Sequence, residues 1–145
     1  MTSEFAIAVH ALVYLAHKDK VLSSEVLAGN ICTNPARIRK IMGKLKKKDL
    51  VGTREGINGG YYMLKSPEEI SLKQVCDTVQ ADLIKAGWKT GNHELPCMIA
   101  SGMSDVMDEL YHDMDEKCKK YLETITIRDV GTKIFQSADI HEEVE

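Results

Sequence analysis

From Ser3 to about His17 the apolar positions Phe5, Ile7, Ala8, Ala11, Leu12 and Leu15 recur at helical spacing and predict a first helix. Ser23 or Ser24 can cap a short second helix carrying Val26, Leu27 and Ala28, with Gly29 and Asn30 available for left-handed backbone angles at its end. Asn34 as a cap and Pro35 at the first helical position then open a third helix, to about Lys48, in which Ile38, Ile41, Met42 and Leu45 share a face. Two β-prone runs, 50–54 and 61–65, flank a segment rich in Gly and Asn and predict a hairpin with a longer loop. Ser71 caps a fourth amphipathic segment with Leu72, Val75, Cys76 and Val79 on one side. Residues 80–96 show no period and predict an irregular connection. From about Ser101 or Ser104 a long helix carries Met103, Val106, Met107, Leu110, Tyr111, Met114, Cys118, Tyr121 and Leu122 along one stripe. A short final helix is expected over 125–135, followed by an acidic, flexible tail at 137–145.

The chain has 145 residues, 43% hydrophobic and 28% charged, which suits one core with an appendage and argues against a disordered chain. No run approaches a membrane span, and the N-terminal twenty residues lack the features of a secretion signal, so a cytoplasmic protein without a membrane partner is expected. The net charge of −3 is unevenly divided. Residues 1–75 carry 12 Lys and Arg against 7 Asp and Glu, while 76–145 carry 7 against 15. Arg37, Arg39, Lys40, Lys44, Lys46, Lys47, Lys48 and Arg54 fall in a stretch whose one acid is Asp49. A patch of that density attracts a polyanion even on a mildly acidic protein.

Two short helices joined by a tight turn make a helix-turn-helix. The face of the second opposite its apolar side centres on Ala36, Lys40, Gly43 and Lys47, flanked by Arg37, Arg39 and Lys44. Small residues amid cations suit a helix laid in the major groove, and a following hairpin suits a wing. The fold class expected is therefore mainly α with a small β-hairpin wing: a winged helix-turn-helix plus a long dimerisation helix. Residues 1–80 form the DNA-binding domain, 81–136 the linker, long helix and final helix, and 137–145 the tail. The expected DNA-contacting set is Asn34, Ala36, Arg37, Arg39, Lys40, Lys44, Lys47, Arg54, Asn58 and Gly59. A dimer interface is expected at Met103, Val106, Met107, Leu110, Met114 and Tyr121, because so long an apolar stripe needs a partner surface.

The motifs at 5–16 (FAIAVHALVYLA), 34–42 (NPARIRKIM), 49–51 (DLV) and 54–61 (REGINGGY), with Ser71-Leu72 after them, resemble the Rrf-two (Rrf2) family of winged-helix transcription regulators. The resemblance implies a homodimer on a pseudo-palindromic operator in double-stranded DNA, with the third helix in the major groove, the wing in the minor groove and the long helices paired; repression is the expected mode. Cluster-binding members carry three cysteines about six residues apart before the long helix. Here Cys97 stands alone, with Met103 and Glu109 at the corresponding later positions, so no iron–sulfur cluster or other cofactor is expected.

Cys32 precedes the cap of the basic helix and Cys97 follows Pro96 at a helix start, environments that lower a thiol pKa below its free value of about 8.5. Both are candidates for redox sensing through an intersubunit disulfide, whereas Cys76 and Cys118 lie on apolar stripes. The alternative is that Cys32 is a small turn residue packed on the helix-turn-helix core. An alternative is control by a small ligand or a protein partner through the C-terminal half, with the cysteines only structural; Trp88, Met98, Met103 and Met107 are the candidate pocket residues. No catalytic triad, phosphate-binding glycine loop or metal motif is present, which argues against an enzyme.

Overall fold

The computed structural model describes residues 3–80 and 82–144, with side chains to residue 138. Helix α1 (Ser3–Lys18) buries Ile7, Ala8, Ala11, Leu12 and Leu15. Ser23 caps α2 (Ser24–Ile31), its hydroxyl accepting from the Val26 N–H at 3.1 Å. The left-handed residue that ends α2 is Cys32 (φ 64°), not Gly29 or Asn30. The helix runs one turn further than expected because Ile31 packs against the core, and the chain reverses only after it. Asn34 then caps α3 (Pro35–Lys47) by accepting from the Arg37 N–H at 2.9 Å, and Ile38, Ile41, Met42 and Leu45 are all buried.

Strands β1 (Val51–Arg54) and β2 (Gly60–Met63) pair antiparallel, with Val51 opposite Met63 and Arg54 opposite Gly60. Leu22, just before α2, adds a one-residue antiparallel bridge on the other side of β2 by exchanging two backbone hydrogen bonds with Tyr61, at 2.9 and 2.8 Å. The approach is so close at Gly60 (φ 153°) that a Cβ there would lie 2.2 Å from the Leu22 carbonyl oxygen. The hairpin is thereby fastened to the start of the helix-turn-helix.

After a single 3₁₀ turn (Pro67–Glu69), Ser71 caps α4 (Leu72–Val79), which buries Leu72, Val75, Cys76 and Val79. One hydrophobic cluster joins α1 to α4 and β1, and full burial of side chains such as Leu12, Leu27 and Leu45 contributes about 1.5–3 kcal/mol each. The cluster crosses the boundary drawn at residue 80: Ile127 is buried within it, and Leu122, Ile125 and Val130 pack on it.

The long helix α5 (Met98–Glu123) starts three residues earlier than the sequence predicts, with Cys97 at its N-cap. The segment 82–97 before it is irregular, as expected, but it is strapped along α5 rather than loose. Asp115 Oδ1 accepts from the N–H groups of Leu83 (2.7 Å) and Ile84 (2.9 Å). Lys89 pairs with Asp108 at 3.2 Å, His93 with Asp105 at 3.1 Å, and the Asn92 N–H donates to the Ala100 carbonyl at 2.9 Å. Gly91 (φ 69°) presses on that carbonyl, where a Cβ would be 2.0 Å away.

Thr126 and Asp129 cap α6 (Ile127–Val144) reciprocally, each backbone N–H donating to the other's side chain at 2.9 and 3.1 Å. The helix returns across α1 and stacks Phe135 on His17, ring centres 4.7 Å apart. It continues through the acidic segment to Val144, well past Phe135; Glu145 lies outside the described residues. Among the described residues no helix is long and apolar enough to cross a membrane.

Candidate nucleic-acid interface

The apolar face of α3 is committed to the core, so the opposite face is necessarily presented outward. Ala36, Arg37, Arg39, Lys40 and Lys47 are exposed there, with Gly43 half-buried, and no other atom lies within 4 Å of where a Gly43 Cβ would sit. The cations are not equally free. Arg37 reaches Ser3 Oγ, and Arg39 lies on α2, 3.2 Å from Ser24 Oγ and 3.7 Å from Glu25. Lys40 and Lys44 both pair with Glu4 of α1, at 3.4 and 2.9 Å, and Lys44 also donates to the Val79 carbonyl at 3.3 Å. Lys40 nonetheless keeps 67% of its side chain exposed, whereas Lys44 is a tie between α1, α3 and α4. Among the described residues Lys46, Lys47, Lys48 and Arg54 form no ion pair.

Glu4 is the residue that sequence reasoning missed. Its carboxyl is held below the usual glutamate range by its hydrogen bond from Lys44, which outweighs the opposing effect of burial, with Lys40 adding to the shift. An acid forty residues away cannot be assigned to this face from local spacing; only the packing of α1 against α3 brings it there.

At the wing, Arg54, Ile57 and Asn58 are exposed. Gly59, half-buried, closes the turn, its N–H donating to the Gly56 carbonyl at 3.0 Å. Asn34 likewise spends its side-chain oxygen on capping α3.

The stripe on α5 splits in two. Met103, Val106, Leu110, Met114 and Tyr121 are exposed, Leu110 at 50% and Tyr121 at 67%. Met107 and Tyr111 are half-buried on the side covered by the strap, and Leu122 packs on the core, so Met107 does not belong to the exposed row. The four cysteines are free thiols, Cys32 and Cys97 exposed, Cys76 buried and Cys118 half-buried. The N–H groups of Ala100 and Ile99, at the start of α5, pull the Cys97 thiol below its ordinary pKa, while burial pushes that of Cys76 up. The Cys32 thiol points back toward the Gly29 carbonyl, 3.9 Å away.

Among the described residues no group of three or more His, Cys, Asp or Glu side chains is placed to hold a metal ion. One exposed thiol at the head of α5 is a donor set that does not fit an iron–sulfur cluster.

Comparison with known proteins agrees with this geometry. YwnA of Bacillus subtilis (strain 168), whose name describes an HTH-type transcriptional regulator, is 29% identical over 138 residues, covering 93% of this chain and 99% of its own. A crystal structure of a protein from Lactobacillus plantarum, described as a transcriptional regulator, superposes with a TM-score of 0.79 at 24% identity over the whole of both chains. CymR of B. subtilis, the global cysteine regulator, gives 0.68 at 16% identity over 92% of this chain and 96% of its own. The model of the Rrf2 family, described as iron-dependent transcriptional regulators, matches residues 1–133. With its winged-helix architecture and DNA-binding fold, the chain belongs to the Rrf2 family of transcriptional regulators, and it is not an enzyme.

Proposed function

We propose that the protein acts as a homodimeric repressor on a pseudo-palindromic operator, with α3 in the major groove and the wing tip in the minor groove or on adjacent phosphates. The observation that carries this reading is the outward face of α3, where Ala36 and Gly43 leave room between Lys40 and Lys47, with the exposed Arg54 on the wing that follows. The exposed apolar row on α5 supports pairing of two subunits, since a second copy of the same helix covers it with matching chemistry.

Fluorescence anisotropy with a labelled duplex tests the first half. Affinity falls steeply between about 50 and 200 mM salt, and Lys47→Ala weakens binding and lowers the magnitude of the salt slope by about 1 per protomer. Light scattering tests the second half: Leu110→Glu shifts the protein to a monomer and weakens operator binding. A flat salt profile or an unchanged dimer rejects the corresponding half.

The reading includes an oxidant response without a metal. Support comes from the exposure of both Cys32 and Cys97 and from the depressed pKa of Cys97, since the thiolate is the form that oxidants attack. Hypochlorite takes two electrons from Cys32 of one protomer and the partner's Cys97. The two thiol protons leave, a disulfide forms, and chloride and water are released. A non-reducing gel of oxidised protein then shows a covalent dimer that Cys32→Ser and Cys97→Ser each abolish. A band that survives in both variants removes the pair.

A further inference from the structure

Between the strap and α5 lies a cavity of about 260 Å³. That volume falls between the roughly 150 Å³ that holds benzene and the roughly 300 Å³ at which drug-sized sites begin. Its walls include the rings of Trp88 and Tyr111 and the thioethers of Met103 and Met107. Aromatic faces and polarisable sulfur are the surfaces that a flat π system packs against best.

Two polar features narrow the choice of occupant. Lys89 and Asp108, which also line the cavity, neutralise each other at 3.2 Å and leave no net charge for an ionic ligand. Ser104, only 7% exposed, has no hydrogen-bond partner for its hydroxyl among the described residues. No buried side-chain oxygen there is both sealed and unsatisfied, so the Ser104 oxygen opens to the space that the residue lines. Trp88, meanwhile, leaves 80% of its surface uncovered, an unusual state for an indole.

We propose that this cavity is a binding site for a small neutral aromatic molecule bearing one hydrogen-bonding group, of about the size of a substituted phenol, which stacks on Trp88 and bonds to Ser104. Met103 belongs both to the cavity wall and to the exposed row of α5, so occupancy bears directly on that row. The proposal goes beyond the DNA-binding reading and does not depend on it.

Trp88 is the one tryptophan of the chain, so its emission reports on the cavity without a label. The full-length protein is titrated, in the absence of DNA, with 4-methylphenol and with toluene, which matches it in shape but lacks the hydroxyl. The expected result is a saturable change in Trp88 emission with 4-methylphenol, with toluene binding about tenfold more weakly. In Ser104→Ala that preference shrinks to within about twofold. Met107→Phe, which enlarges a side chain on the α5 wall of the cavity, abolishes the response to both probes while circular dichroism and the melting curve stay those of a folded helical protein. No saturable change in the wild type, the same preference in Ser104→Ala, or undiminished binding in folded Met107→Phe overturns the proposal.

Discussion

Replacing Glu4 by Gln removes one carboxylate that holds two cations of α3, and on the proposed role of that helix the consequence for DNA binding follows from the geometry. Glu4 pairs with Lys44 at 2.9 Å and with Lys40 at 3.4 Å, and Lys44 keeps a second bond to the Val79 carbonyl. The substitution therefore frees Lys40 while leaving Lys44 anchored. One more cation available to phosphate steepens the slope of log K against log salt by about 0.9 per protomer. Over a fourfold change in salt, from about 50 to 200 mM, the variant's advantage shrinks by about 3.5-fold for each protomer engaged. Binding is tighter than wild type at the low end and approaches it at the high end. The cost to the fold is modest, about 0.5–1 kcal/mol after allowance for solvent around Lys40 and Lys44. Because the Glu4 carboxyl is depressed in the folded state, its stabilising contribution is fully present above the unfolded pKa of about 4.3 and is lost as pH falls through the folded value. The stability gap between wild type and Glu4→Gln is thus open at neutral pH and closes in acid. Anisotropy titrations over a salt series, paired with denaturant melts at two pH values, measure both effects. Weaker binding with an unchanged salt slope would refute the reasoning and make Glu4 a positioner of the lysines rather than a competitor for them.

Gly43→Ala meets no neighbour in the free protein and gains helix propensity, so the melt shifts up by about 0.4–1 kcal/mol while DNA affinity falls at least several-fold; unchanged affinity removes Gly43 from the contact face. Cys32→Gly relieves a left-handed residue and stabilises the fold by roughly 1 kcal/mol in a thermal melt, while abolishing any disulfide at that position; a destabilised variant means the thiol itself packs. Asp115→Ala leaves the Leu83 and Ile84 N–H groups without their acceptor and Lys119 without this carboxylate, which costs about 2–4 kcal/mol in denaturant unfolding at neutral pH. Burial pushes the Asp115 pKa up, but the Ile84 N–H, Lys119 and the Leu83 N–H outweigh it and hold the carboxyl low. The loss should therefore narrow below about pH 4, and an equal gap at both ends of the range would contradict this.

Helix α3 was legible because everything that defines it is local: Asn34 and Pro35 start it, four apolar residues set its buried face, and the remainder must point outward. The hairpin and α4 were legible for the same reason, through turn residues and a capping serine. The strap was not. Its conformation is imposed by Asp105, Asp108 and Asp115 on a helix that follows it, and such tethers leave no period in the strapped segment itself. The strap also decides which apolar residues of α5 remain exposed: Met103 and Met107 both line the groove beneath it, yet Met103 stays exposed and Met107 is half-buried. The extent of α6 is not legible in the sequence because its acidic end offers no apolar face, although glutamate is an adequate helix former once a packed first turn has nucleated the helix.

The bridge between Leu22 and Tyr61 locks the hairpin to the entrance of α2, so the helix-turn-helix and the wing travel as one solid piece. A signal has little to adjust inside such a piece, and on the proposed operator its footprint on each half would be set at folding. In a dimer, what remains adjustable is the stride between two fixed feet. A chemical cue arriving at α5 would lengthen, shorten or skew that step, and the spacing tolerated between half-operators, rather than the bases preferred within one, is where its action would be visible.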